Sequence, residues 1–100
     1  MASFAARSIF RTCGSNPFPP RISQAGTCIM VECGKVCKFF FDFGSGCMRN
    51  TIGMQVPVPE INDIFLTHLH VDHYADLPNL YAFAPFSMRW KPLRMVGPSG

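Results

Sequence analysis

The first features of this chain of 100 residues are its absences. No apolar run approaches the roughly 18–20 residues that cross a bilayer as a helix. The longest stretch, KFFFDF at residues 38–43, is broken by Asp42. A membrane-spanning role is therefore not expected. No C-x-x-C occurs among the five cysteines, Cys13, Cys28, Cys33, Cys37 and Cys47. That argues against a zinc ribbon or a dithiol redox motif, and the odd number argues against a disulfide framework. Cys28, Cys33 and Cys37 fall in β-like stretches, where a free cysteine behaves as a small hydrophobe. Core thiols in a reducing compartment are the expectation. No acid precedes Glu32, whereas Arg7, Arg11 and Arg21 do. A basic start with a net charge of +3 suits a polyanionic partner and a solvated chain end alike. No secretory apolar region is present, and MASFAARSIFR is too short to support organelle targeting, so a cytoplasmic protein is expected. No internal repeat is visible. Finally, no histidine lies outside residues 68–73.

What is there is globular. A hydrophobic share of 48% against 15% charged residues is enough to build a core and too greasy for disorder. Residues 1–26 read as an N-terminal segment followed by a Pro-rich loop, because TCGSNPFPPRISQAG (12–26) concentrates Gly, Pro and Ser. Residues 27–100 read as the structured part of one domain. TCIMVEC (27–33) and VCKFFFDF (36–43) are β-rich runs around Gly34-Lys35, which signals a hairpin. The second run is apolar at nearly every position and predicts a strand buried on both faces. A short helix is expected over 47–54 and a strand over 63–67. Asp76 is placed to cap a helix over 77–84, with Pro78 in its first turn, where proline is tolerated. Leu77, Leu80, Tyr81 and Ala84 make its apolar stripe. A last strand is expected over 92–97. The class is α/β, or α+β.

The stretch THLHVDH, residues 67–73, carries the chemistry. Imidazole and carboxylate are ordinary protein donors to transition metals. His68 and His70 are two apart, so in extended chain both rings face one way and can share an ion. Asp72 keeps that alternation and His73 breaks it. As the chain turns, Asp72 and His73 can aim at a second ion, and paired ions in hydrolases sit roughly 3.5–4 Å apart. A polar surface turn with chance histidines is the competing reading. All three histidines interleaved with an aspartate, directly after a short apolar strand, argue against it.

THLHVDH resembles the H-x-H-x-D-H signature of the metallo-β-lactamase superfamily. The surrounding order is similar too: a hairpin, a strand ending Asp42-Phe43-Gly44, IFLTHLHVDH, ADLPNL, and a late PLRMVGPSG. Within the superfamily the chain looks most like the branch of ribonuclease Z and the arylsulfatase-like phosphodiesterases. The resemblance covers about residues 13–100. It implies the N-terminal part of an αββα sandwich, with His68 and His70 on one metal and Asp72 and His73 on the other. Zinc is the implied ion, two in the complete domain, with manganese or iron as alternatives. Asp72 would also orient the nucleophile, and Asp42 would steady the ligands by hydrogen bonding. A turn residue is the plainer reading of Asp42. Thr67 is a loop support or an ordinary strand residue, and Arg21 a phosphate contact or a solvated loop arginine.

Two features depart from that pattern. Where ribonuclease Z has D-C-G-E-G-T, this chain has DFGSGC, without the acid, and its opening strand and turn are altered. The superfamily site also needs a further histidine on the first metal, plus a bridging aspartate and a histidine on the second; after His73 there is no histidine here, and the only acid is Asp76, better used as a cap. The chain is thus expected to be part of a longer domain and inactive alone. The leading function is a binuclear metal-dependent hydrolase of a phosphodiester or sulfate ester, with RNA as one substrate and a homodimer as one assembly. A lactonase-like or biosynthetic small-molecule hydrolase is the second reading. The third is a non-catalytic interaction module with an incomplete metal site.

Overall fold

Residues 8–14, 24–34, 37–87 and 91–99 are described by the computed structural model. Among them, strands β1 (Ser8–Gly14), β2 (Cys28–Cys33), β3 (Cys37–Phe41), β4 (Asp63–Phe65) and β5 (Arg94–Val96) form one sheet in the order of the chain. The first three are antiparallel neighbours; β3, β4 and β5 run parallel. Parallel neighbours need a crossover, usually a helix. Helix α1 (Cys47–Gly53) lies between β3 and β4 in the chain, and α2 (Leu77–Phe83) between β4 and β5. None of the described helices is long and apolar enough to cross a membrane.

Two boundaries correct the sequence reading. Residues 12–14, expected in a loop, belong to β1, whose backbone pairs with β2 from Ser8↔Cys33 to Gly14↔Cys28. Antiparallel pairing to a long apolar neighbour outweighs the turn-forming residues there. The β2–β3 hairpin closes on Cys33↔Cys37, so residues 34–36 connect it rather than Gly34-Lys35 alone, and Gly34 takes φ 65. The Pro-rich stretch 15–23, with Arg21, lies outside the described residues.

The core forms on one face of the sheet. Cys28, Met30, Phe40 and Ile64 are fully buried against Cys47 and Met48 of α1 and Leu80 of α2, with Phe43, Val56 and Ile61. Phe40 and Phe43 meet edge to face at 5.7 Å. The expectation that β3 is buried on both faces fails. Its pattern alternates around Phe40, and Phe41 is 38% exposed. Both helices contribute to the same core, so the described chain covers one side of the sheet. Cys28 and Cys47 are joined as a disulfide, where free core thiols were expected. The packing of α1 on β2 brings their Cα atoms to 6.3 Å, within disulfide range, across a sequence separation of 19 that carried no signal. Cys33 and Cys37 are free.

Asp76 also acts differently from expectation. It precedes α2, but its carboxylate makes no cap bond to that helix. Its Oδ2 accepts from the backbone N–H of Met48, at 2.6 Å, and its Oδ1 from Asn79 Nδ2, also at 2.6 Å. Met48 is the second residue of α1, one of the first-turn N–H groups that a helix cannot satisfy itself. The residue before α1 is Gly46, which has no side chain to offer. Asp76 supplies the missing acceptor across the layer, and is buried in doing so.

Candidate metal centre

β3 and β4 are parallel and in register, with Phe41 opposite Phe65. Their carboxyl ends therefore open at one place, the usual position of ligand sites in such sheets. Asp42 follows β3, and Leu66 and Thr67 follow β4. Asp42 holds φ 64, a left-handed backbone that costs a non-glycine residue energy and that Asp tolerates better than most. It is nearly fully buried, and its neighbours account for the conformation. Its N–H donates to Phe65 O at 2.8 Å. Its Oδ1 accepts from Thr67 N at 2.8 Å, and its Oδ2 from Thr67 Oγ1 at 2.8 Å. The same Oδ2 lies 2.8 Å from His73 Nδ1.

The histidine segment is laid across this corner. His70 is extended, and Val71–His73 form a single 3-10 turn in which His73 N donates to His70 O at 3.0 Å. Phe43 N donates to His73 O at 2.7 Å, which ties the turn to the end of β3. Gly44 explains the tightness of the fit. A Cβ there would run into the carbonyl oxygen of Asp72 and lie 2.7 Å from Gly26 C, so glycine at position 44 is a packing requirement of the turn.

All four residues expected to bind metal come together. The His68 and His70 rings lie 4.7 Å apart edge to face, although His68 sits in a bend rather than in extended chain. The His68 and His73 rings are closer still, at 3.8 Å. His73 Nε2 is 3.2 Å from Asp72 Oδ2. Two donors about 2.0–2.1 Å from one zinc at the tetrahedral angle would be roughly 3.3 Å apart, so this pair fits a shared ion. Among the described residues, no group of three or more His, Cys, Asp or Glu side chains makes a metal site by itself. The donors thus fit such an ion in chemistry and in their best-defined spacing, without completing a shell. His73 and Asp72 are mostly buried, and His70 is open to solvent.

Sequence reasoning left Thr67 undecided and missed the destination of Asp76. The position of Thr67, immediately before the first histidine, was the available signal. A separate cleft of about 410 Å³ lies between the helices, lined by Met48, Arg49, Ile52, Asn79 and Phe83, away from the histidines.

A family described as tRNase Z endonuclease matches residues 19–76, more than half of the chain and the whole of this corner. The chain belongs to the tRNase Z endonuclease family. Ribonuclease Z of Methanococcus maripaludis is 44% identical over 61 residues, which is 61% of this chain and 20% of that protein. The chain therefore spans about a fifth of the length of these curated relatives. The crystal structure of the short form of human tRNase Z superposes with a TM-score of 0.75 at 27% identity, covering 91% of this chain and 34% of that one. A metallo-β-lactamase fold protein, YhfI of Bacillus subtilis, superposes with a TM-score of 0.77 at 23% identity over 88% of this chain and 37% of its own. At that identity the likeness establishes the fold, and it agrees with the mixed α/β architecture expected from sequence. The family match likewise agrees with the ribonuclease Z branch that the chain resembles within the superfamily of the THLHVDH signature.

Proposed function

We propose that this chain supplies the first four ligands of a binuclear zinc hydrolase that cuts phosphodiester bonds in RNA. The observation that carries this reading is the gathering of three imidazoles and Asp72 where β3 and β4 end together. His68 and His70 would hold one ion, Asp72 and His73 the other. Zinc suits imidazole and carboxylate donors, and manganese or iron are the alternatives. Bound there, the metals would supply Lewis-acid stabilisation of charge and activation of water. The chain's own residues position that chemistry. Asp42 holds the His73 ring through Nδ1, which leaves Nε2 directed toward Asp72. Asp72 would hold the attacking water in line as well as bind. Relatives named ribonuclease Z and tRNase Z support RNA, transfer RNA in particular, over a sulfate ester or a lactone.

Zinc titration by calorimetry tests the ligand assignment. Weak binding is expected, because two ligands per ion leave each site open, and Asp72→Ala should lose the Asp72/His73 ion and keep the other. Two tight sites in these 100 residues, or no zinc binding at all, would overturn the assignment. Turnover should be low. A trace of zinc-dependent RNA cleavage that dies in Asp72→Ala supports the substrate, and aryl-sulfate cleavage in its place would refute it. Loss of cleavage activity with zinc binding retained would leave the interaction module as the better reading.

A cytoplasmic location goes with this reading, and sedimentation of the protein tests the accompanying homodimer. The compartment bears on Cys28–Cys47, since the cytosol keeps most thiols reduced. Alkylation of protein taken from cells before any reductant leaves both unlabelled if the disulfide stands there.

A further inference from the structure

The hydrogen bonds around Asp42 can be counted proton by proton. Thr67 Oγ1 lies 2.8 Å from Asp42 Oδ2 and 3.1 Å from His68 Nδ1. A hydroxyl carries one proton and two lone pairs, while a carboxylate only accepts. The Thr67 proton must therefore point at Asp42; otherwise two bare oxygens would face each other at 2.8 Å. With its proton committed, Thr67 Oγ1 can only accept from His68, so His68 Nδ1 must carry hydrogen. His73 Nδ1, 2.8 Å from the same Oδ2, must carry hydrogen for the same reason. The backbone fixes the relay, because Thr67 N also donates to Asp42 Oδ1 at 2.8 Å and so clamps the residue on both carboxylate oxygens.

We infer that Thr67 is a positioning residue that relays Asp42 to His68, so that one carboxylate oxygen holds a hydrogen on Nδ1 of two histidines at once. His73 receives the instruction directly and His68 through one hydroxyl. The His68 ring is then free to present a bare Nε2, the form a neutral imidazole needs to bind a metal, while His73 Nε2 faces Asp72 Oδ2 at 3.2 Å. The consequence for metal binding rests on the function proposed above; the Nδ1 hydrogens do not, since the hydrogen bonds exist without an ion.

The test is a long-range proton–nitrogen NMR correlation of the histidine rings in the chain kept free of metal by chelator, at slightly alkaline pH. Wild type should show His68 in the Nδ1–H form and His73 with hydrogen on Nδ1. Thr67→Val keeps the shape and the backbone bond but removes the hydroxyl. It should release His68 from that form and leave the hydrogen on His73 Nδ1, because the His73 bond does not pass through Thr67. Thr67→Ser should restore His68. A wild-type His68 in the Nε2–H form, or an Nδ1–H His68 that survives Thr67→Val, overturns the relay. Should Thr67→Val fail to fold, the wild-type and Thr67→Ser spectra still decide, since both must then show Nδ1–H. Competitive zinc titration reads the consequence separately. Loss of an outer hydrogen-bond partner costs roughly 10–100-fold in metal affinity, so Thr67→Val should bind about tenfold more weakly and Thr67→Ser near the wild-type level. Unchanged affinity beside a released tautomer would sever the relay from metal binding. Absence of zinc binding in all three proteins would sink the metal reading and leave the tautomer result intact.

Discussion

The two faces of the sheet are equally apolar and differently covered. On one, Met30, Phe40 and Ile64 stand side by side in register and are fully buried under the helices. On the other, Ile29, Phe41, Phe65 and Val96 are just as well aligned, yet Ile29 is 40% exposed and Val96 48%. Phe41 and Phe65 stack at 5.4 Å on that open face. Side-chain character is therefore no guide to which face is buried. What separates the faces is the crossover connections, which place both helices on the same side.

Substitutions should separate the faces in order of size. Phe40→Ala should cost about 3–5 kcal/mol, the range for emptying an aromatic site in a closed core. Urea unfolding measures it, and a loss below about 1 kcal/mol would mean the helical layer is loose enough to collapse into the gap. Asp76→Ala should come next, at about 2 kcal/mol, because it leaves the buried N–H of Met48 without its acceptor and loosens the layer that closes the first face. Helical circular dichroism should fall with it. Phe41→Thr should cost least, about 1 kcal/mol or less, since its ring is already partly wet and threonine suits a strand. A cost equal to that of Phe40→Ala would show that the second face is covered in solution.

Much of this was legible in residue order. The β2–β3 hairpin, both helices and the short strand ahead of the histidines follow from β-rich runs, glycine turns and the proline at the start of α2. Their ends shift by a residue or two, as in β4, expected over 63–67 and found at Asp63–Phe65. Three features were not legible, each for a physical reason. The strand at Ser8–Gly14 lacks strict alternation and is recruited by its neighbour. The one-sided burial of β3 depends on where the helices lie, not on its own side chains. The partner of Asp76 is 28 residues away and is a backbone N–H, which leaves no trace in side-chain identity. In the candidate site, the closeness of His68, His70, Asp72 and His73 was readable because they fall within six positions of the chain. The grip of Asp42 on Thr67 and His73 crosses 25 and 31 residues and needed the parallel pairing of β3 with β4 to bring it about.

The bond from Met48 to Asp76 also bears on the order in which the chain can be made. During synthesis the residues of α1 leave the ribosome well before Asp76 does. Until then the Met48 N–H has only water for an acceptor, and a helix of that length has little propensity to persist by itself. The histidine-bearing turn emerges between the two, ahead of Asp76 and behind the helix. The Met48–Asp76 bond can therefore close only after that turn has been made. A nascent chain stalled short of Asp76 would carry its histidines beside an α1 whose Met48 N–H still bonds to water.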